Sequence, residues 1–196
     1  MTLETYGVGE DTLLLLETTR AYHTKVALEL GVGSGVVTLE LSKESSLVVG
    51  CDLNRAALQE TQQCCNAKEN VELVCCDAAS AFRQGVFDLV AFNPPYLPSN
   101  ETSDLAIDGG MDGIEVTLKW VQSASQALRR GGSMIFISSS LSNRKNLLRK
   151  IRNIGIEVIP VNKKKLFFED LIAYKATIAN TSPRHRHQTI EKSLPT

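Results

Sequence analysis

Three glycines within five residues, placed directly after an apolar run, constrain the fold of this 196-residue chain more than any other feature. The run at residues 25–30 is short and mostly apolar, and Gly31, Gly33 and Gly35 separate it from a segment with helical spacing. A strand, a glycine-rich turn and a helix in that order are typical of a nucleotide-type ligand crossing the ends of parallel strands. Glycine has no Cβ, so ligand and backbone approach closely there. The spacing predicts an α/β fold with a ligand site at this turn.

The alternation of strands and helices continues along the rest of the chain. Apolar runs predict seven strands, at residues 25–30, 47–52, 71–76, 87–92, 133–138, 156–161 and 166–178. Helical segments are expected near residues 11–16, 35–43, 54–67, 113–130 and 141–154. Alternating strands and helices imply parallel pairing in a three-layer domain, and the last two strands are close enough to pair antiparallel. We therefore expect a Rossmann-like α/β fold whose seven-stranded sheet is mostly parallel, with an antiparallel closing strand.

Composition limits the classes of protein to which the chain can belong. The length suits one domain, expected at residues 1–180, and the polar segment 181–196 predicts a disordered tail. A net charge of −1 argues against a stand-alone nucleic-acid or membrane-surface protein. No apolar run predicts a membrane span, and no signal peptide is recognised. Five cysteines without metal-ligand spacing predict reduced thiols, a cytoplasmic protein and no metal site.

Acidic residues stand at the ends of successive predicted strands. Asp52 lies about 20 residues after Gly31, a spacing that suits a pair of ribose hydroxyls. Asp77 is placed to accept from an adenine amino group, and Glu29 to reach an ammonium group across the glycine turn. That turn has no lysine, which argues against a pyrophosphate or triphosphate. Ribose, adenine, a positive charge and no phosphate together describe S-adenosylmethionine. Taken alone, Asp52 fits a turn former equally well.

The run Asn93-Pro94-Pro95-Tyr96 follows the fourth predicted strand. The two prolines fix φ, lack two backbone donors and hold Asn93 extended. The resulting stiff turn offers an amide oxygen, carbonyl oxygens and an aromatic ring, a set that suits a planar –NH2 group. The turn alone does not distinguish an amide from a nucleobase amino group, and Asn-Pro also opens ordinary turns.

Together these residues resemble the class I S-adenosylmethionine-dependent methyltransferases, and in particular the HemK-like N5-glutamine methyltransferases of release factors. The matching segments are Tyr6-Gly-Val-Gly-Glu-Asp-Thr12, Glu29-Leu-Gly-Val-Gly-Ser-Gly35, Asp52, Asp77, Asn93-Pro-Pro-Tyr96, Asp108-Gly-Gly-Met-Asp-Gly113 and Leu166-Phe-Phe-Glu-Asp-Leu171, the last as a closing strand. The resemblance covers about residues 3–178. Val8 departs from it, because the family usually has proline there.

The resemblance implies transfer of a methyl group from S-adenosylmethionine, leaving S-adenosyl-L-homocysteine, to the glutamine of a Gly-Gly-Gln loop in a class-1 release factor. It assigns catalysis to Asn93, Pro94 and Tyr96, with Pro95 added for substrate binding. It assigns cofactor binding to Thr12, Glu29, Gly31, Gly33, Gly35, Asp52, Leu53, Asp77, Ala78 and Asn93. The compact archaeal and eukaryotic branch works with a small zinc-binding activator, which we expect to pair with the apolar edge at residues 71–76.

Three other functions compete with this one. A methyltransferase of nucleic-acid amino groups shares the Asn93 turn, but the chain has no recognisable target-recognition insert. A protein lysine methyltransferase and a non-catalytic scaffold are the others, although a decayed site would have lost its glycines or Asn93. The cations of residues 144–152 and the expected turn 163–165 are either solvated or contact RNA. Asp104 and Asp108, in loop 97–112, are either solvated or meet a basic substrate segment.

Overall fold

The computed structural model describes residues 7–97, 109–110 and 112–178. In chain order the elements are α1 Glu10–Thr19, β1 Thr24–Leu30, α2 Val36–Glu44, β2 Ser45–Asp52, α3 Arg55–Cys64, β3 Val71–Cys75, β4 Phe87–Phe92, α4 Glu115–Ala127, β5 Leu128–Ser139, α5 Arg144–Asn153, β6 Ile156–Lys165 and β7 Asp170–Ile178. The predicted residues Tyr6, Asp104, Asp108 and Met111 and the segment 181–196 lie outside the described part. Within that part, no helix is long and apolar enough to cross a membrane.

The strands form one sheet in the order β3-β2-β1-β4-β5-β7-β6. The first five strands pair in parallel, and β7 runs antiparallel to both β5 and β6. The chain moves outward from β1 to β3 and then crosses back, so that β4 pairs with the other side of β1. Ligands of such sheets bind at the carboxyl ends of the strands, where the order reverses. The predicted fold class is confirmed.

Apolar side chains cover both faces of the sheet. On one face, Leu14 and Leu15 of α1 and Leu41 of α2 pack against the strands. On the other face, Val121 of α4 and Leu147 of α5 do so. Burial on both faces explains why the central strands are continuous apolar runs rather than alternating ones. Because helices cover both faces, a ligand site is expected at the carboxyl ends of the strands.

The predicted helix at 113–130 is shorter in the structure, because α4 ends at Ala127 and β5 begins at the next residue. Leu128 pairs with Phe87 in the sheet, and Arg129 forms an ion pair with Asp88. The side chain of Asp88 also accepts hydrogen bonds from two backbone amides of β1. These contacts hold residues 128–130 extended, and a sheet pairing between distant segments overrides their local helical preference.

The closing strands also differ from their prediction. Lys163, Lys164 and Lys165 belong to β6 and not to a turn, because the pairing with β7 continues to the pair Lys165–Asp170. Residues 166–169 form the turn, so β7 begins at Asp170 instead of Leu166. The hairpin is therefore longer, and its turn is shifted toward the carboxyl end of β5.

Candidate functional site

A cavity of about 560 Å³ runs along the carboxyl ends of β1, β2, β3 and β4. Its volume lies in the range of small-molecule sites. The predicted residues that line it are Thr12, Glu29, Gly31, Gly33, Asp52, Leu53, Asp77, Ala78, Asn93, Pro94, Pro95 and Tyr96. Gly35 is the exception among the predicted set. It precedes α2 with φ at 81°, and a Cβ there would lie 2.8 Å from the Thr61 Cα, so glycine at this position lets α2 and α3 pack closely.

The glycine turn forms the floor of the cavity. The φ angles of Gly31 and Gly33 are 69° and 50°, a region that side chains rarely adopt. The Gly31 amide donates to the Cys51 carbonyl at 2.8 Å, which ties the turn to β2. A Cβ on Gly31 would lie 2.6 Å from Cη2 of Trp120. The turn is therefore packed directly under the Trp120 ring, and no larger residue fits there without moving it.

Two carboxyl groups flank the glycine turn. Asp52 accepts from the Asn54 amide at 2.8 Å and from the Gly33 amide at 3.3 Å. Burial raises its pKa. Glu29 is buried and accepts from the Thr38 hydroxyl, and burial raises its pKa to about 8. A cation that enters the cavity would stabilise the ionised form of this buried carboxyl, which burial alone disfavours.

The far end of the cavity is built from the segment after β3. Asp77 accepts from the Lys119 ammonium at 2.5 Å, so one of its oxygens is already paired. Ala78 adopts a φ of 48°, which aims its carbonyl at the thiols of Cys51 and Cys76, at 3.1 and 3.3 Å. The hydrogen bond with Cys51 lowers the pKa of Cys76 to about 7. Cys76 itself lines the cavity wall.

The Asn93 turn closes the opposite end. Asn93 Oδ1 is buried and has no hydrogen-bond partner among the described residues. The Tyr96 hydroxyl donates to Asp11 Oδ2 at 2.9 Å, which fixes the tyrosine ring to the start of α1. A Cβ on Gly109 would lie 2.8 Å from the Tyr96 Cα, so the returning chain packs tightly behind this turn. The site thus holds one unsatisfied amide oxygen in a rigid frame.

Three polar or aromatic residues of the cavity stand out among those that were not predicted from the sequence as site residues. Asp11, Lys119 and Trp120 all line the cavity. Asp11 was identified only as a helix start, although its place beside Thr12 in the matching N-terminal segment was a usable signal. Lys119 and Trp120 lie on α4, and no sequence motif around this lysine or the single tryptophan of the chain indicated a site. Their position follows from the packing of α4 on the sheet, where the Trp120 ring centroid lies 5.9 Å from that of the Phe92 ring of β4.

The donor set fits S-adenosylmethionine. Glu29 is placed to meet an ammonium group, the glycine turn leaves room for a ligand backbone, and Asp52 retains acceptor capacity for hydroxyl groups. The wall is mostly apolar toward Trp120 and Ala78, which suits an adenine ring. No cluster of potential metal ligands is found among the described residues.

Comparisons with known proteins agree with this chemistry. The profile of the methyltransferase small domain family matches residues 6–164. A Methanocaldococcus jannaschii protein, provisionally named a protein N5-glutamine methyltransferase, is 32% identical over 182 residues, which cover 88% of this chain and 91% of that protein.

Two further relatives carry related names. A release factor glutamine methyltransferase of Bradyrhizobium diazoefficiens is 31% identical over 67% of this chain, and the match spans 50% of that longer protein. The solved E. cuniculi Mtq2–Trm112 complex, described as responsible for methylation of the eRF1 translation termination factor, matches with a TM-score of 0.73. Its identity is 28%, over 88% of this chain and 98% of the solved chain.

Proposed function

We propose that this chain, which belongs to the methyltransferase small domain family, methylates the side-chain amide of a glutamine in a peptide-chain release factor. One observation carries the proposal: Asn93 Oδ1 is a buried acceptor in the cavity without a partner among the described residues. A buried acceptor left unpaired costs about 1–3 kcal/mol. A substrate amide N–H removes that cost when it enters, so the site favours this donor.

The methyl donor is S-adenosylmethionine, which supplies an electrophilic methyl group on its sulfonium and leaves as S-adenosyl-L-homocysteine. Glu29 holds its ammonium group, and Asp52 with Leu53 holds its ribose. Asp77 and Ala78 lie at its adenine, while Gly31 and Gly33 give it close access to the backbone, as these positions line one continuous cavity. Thr12 lies at the start of α1 in the same wall.

The Asn93 turn prepares a poor nucleophile. A carboxamide nitrogen is a weak nucleophile because its lone pair is delocalised into the carbonyl group. Asn93 Oδ1 and the Pro94 carbonyl accept from the two N–H groups of the substrate amide and stabilise the positive charge that develops on its nitrogen. Tyr96 packs against the amide plane, and its bond to Asp11 keeps the ring in place. The methylated nitrogen then loses its proton without a dedicated base.

The identity of the acceptor is supported by relatives. The Bradyrhizobium protein is named for release factor glutamine, and the E. cuniculi complex is described by its methylation of eRF1. A release factor substrate places the protein in the cytoplasm, where the free thiols of all five cysteines are expected to stay reduced. Residues 1–180 would then act as one catalytic domain.

A second subunit is proposed at the edge of the sheet. β3 is the terminal strand, and one of its edges has no strand partner in the described part of the chain. Its residues Val71, Leu73 and Val74 are half-buried, and Cys75 is exposed. An open apolar edge favours strand addition by another chain. The E. cuniculi relative was solved with Trm112. The small zinc-binding activator that the family resemblance implies is our candidate for a partner at this edge. Full activity of the monodisperse protein alone would contradict this part.

The proposal is tested by labelled-methyl transfer. The protein is incubated with labelled S-adenosylmethionine and, in separate reactions, a purified class-1 release factor, ribosomal RNA, transfer RNA and DNA. We expect label only in the release factor, and mass spectrometry should place it on the glutamine of the Gly-Gly-Gln loop. Asn93→Ala is the inactive control. Label in nucleic acid, or on a lysine, would contradict the proposed acceptor.

A further inference from the structure

The turn between β6 and β7 displays two aromatic rings to solvent. Phe167 and Phe168 are 92% and 85% exposed, and their rings pack edge to face with centroids 4.7 Å apart. The turn is held by its own hydrogen bonds: the Leu166 amide donates to the Glu169 carbonyl at 2.8 Å, and the Asp170 amide donates to Ser140 Oγ at 2.9 Å. A well-anchored turn that exposes two large apolar side chains indicates an interaction surface.

This turn lies on the same side of the molecule as the acceptor end of the cavity. β7 runs antiparallel to β5, with Leu171 opposite Ser139, so residues 166–169 stand at the carboxyl edge of the sheet. Lys164 forms a salt bridge with Glu10 at the start of α1. The next residue of that helix, Asp11, accepts the hydrogen bond from Tyr96. Two adjacent residues thus connect the turn to the Asn93 end of the cavity.

Around the turn, four cations (Lys163, Lys164, Lys165 and Arg144) outnumber three carboxylates (Glu10, Asp170 and Glu169, which accepts from the Ser139 hydroxyl). Lys163 pairs with Asp170, whose pKa is lowered chiefly by that hydrogen bond and also by nearby Lys165 and Arg144. Neither Lys165 nor Arg144 forms a salt bridge within the described ranges. Lys165 directly precedes the turn and Arg144 lies near Asp170 at its end, so two cations without a salt bridge lie next to the turn that carries the two rings.

We propose that Phe167 and Phe168, bordered by Lys165 and Arg144, form a docking surface for the protein substrate. This inference rests on the proposed function and concerns how the substrate is held. The occupant is an apolar recess on the folded substrate, bordered by carboxylates and separate from the loop that carries the target glutamine. The rings supply buried apolar area and the cations supply charge complementarity, as aromatic anchors with a charged rim do at protein interfaces.

Two other occupants fit the turn less well. A symmetric contact with a second copy of the chain would bring Lys165 and Arg144 toward their own counterparts, which is repulsive. Single-stranded nucleic acid needs open ring faces for stacking, but the edge-to-face contact between Phe167 and Phe168 covers part of one face. Within β6, two of the three lysines are already in salt bridges, which leaves Lys165 of that strand for a phosphate.

The test compares a full-length release factor with a short peptide of its Gly-Gly-Gln loop. In the double variant Phe167→Ala/Phe168→Ala, we expect KM for the release factor to rise roughly 10- to 100-fold, as for truncated aromatic anchors. Turnover of the peptide and the affinity for S-adenosyl-L-homocysteine should stay unchanged. Lys165→Glu should raise the same KM and reduce its salt dependence. The matched control is Ile154→Ala, which removes a side chain 47% exposed at the opposite edge of the sheet.

Binding measured without turnover separates this inference from the proposed function. Calorimetry with release factor in the presence of S-adenosyl-L-homocysteine should show the same roughly 10- to 100-fold loss in the double variant. If the wild type methylates no release factor, the proposed function fails, and equal binding by both proteins would still overturn the docking surface. Equal loss with the short peptide would overturn it too. The docking surface would also be overturned if the wild type formed a dimer, or bound RNA, and the double variant did not.

Discussion

Replacing Asn93 with alanine should separate activity from stability, because its Oδ1 is buried without a partner among the described residues. An acceptor desolvated in this way costs about 1–3 kcal/mol in the folded protein. Alanine removes that cost and loses only the contacts of a half-buried side chain. We therefore expect the free energy of unfolding to stay the same or to rise by about 1–2 kcal/mol.

Asn70 provides the matched control for this substitution. Its side-chain amide donates to the carbonyls of Ser42 and Ser45 at 2.9 and 2.8 Å, just before β3 and at the opposite edge of the sheet from the cavity. Each such bond contributes about 0.5–1.5 kcal/mol, so Asn70→Ala should lower the free energy of unfolding by about 1–3 kcal/mol. Its methyl transfer should match that of the wild type at temperatures where it is folded.

The activity of the Asn93→Ala variant should fall by a factor of about 10²–10³, the range seen when one preorganised group that stabilises transition-state charge is removed. Urea unfolding measures the first effect, and single-turnover transfer of labelled methyl to a release factor measures the second. Affinity for S-adenosyl-L-homocysteine, by calorimetry, should be largely retained. A loss of stability as large as that of Asn70→Ala would show that Oδ1 is satisfied in the protein. Near-wild-type turnover would remove Asn93 from the chemistry.

Three more perturbations test other parts of the site. Gly31→Ala places a Cβ 2.6 Å from Trp120 at a φ of 69°. The free energy of unfolding should fall by at least about 1–2 kcal/mol, and cofactor binding should weaken. Unchanged cofactor binding would refute the close packing of the turn under Trp120. Because the pKa of Glu29 rises from 4.5 to about 8, the unliganded protein should lose stability as pH rises between those values. Pairing with an ammonium then releases about one proton at pH 7. Calorimetry in buffers of different ionisation enthalpy should detect it in the wild type but not in Glu29→Gln. Because its pKa is lowered to about 7, Cys76 should react with iodoacetamide at neutral pH. S-adenosyl-L-homocysteine should protect Cys76 but not the exposed Cys75. Equal protection of both cysteines would argue against the position of Cys76 in the cavity wall.

Much of the fold was predictable because its determinants are local. Apolar runs, glycine turns and proline positions act over a few residues, and they indicated the seven strands and the side of the sheet that carries the site. The errors occurred where distant segments pair. Residues 128–130 have helical propensity, but Phe87 and Asp88 recruit them into the sheet. Lys163–165 resemble a solvated turn, but pairing with β7 extends the strand to their end.

In the candidate site, too, the residues that could be predicted are those with local determinants. Glycine in left-handed turns, an acidic residue at a strand end and the Asn93-Pro-Pro-Tyr96 turn depend on backbone geometry that neighbouring residues impose. The sequence analysis named these site residues individually, and all of them except Gly35 line the cavity. At Gly35 a steric requirement for glycine does not by itself reveal what approaches it, which in the structure is Thr61 of α3, and its role in cofactor binding stays a prediction.

The sequence by itself determined the chemistry that this protein can support, because the glycine turn, Asp52 and the Asn93 turn restrict the backbone and donor groups locally. Tertiary structure alone decided which distant side chains complete the site. Tyr96 meets Asp11, and Asp77 meets Lys119, only because helices pack across the ends of the strands. It also brought the Phe167–Phe168 turn to the acceptor side, because β7 returns antiparallel to β5. Such long-range contacts depend on topology, which no local pattern of residues encodes.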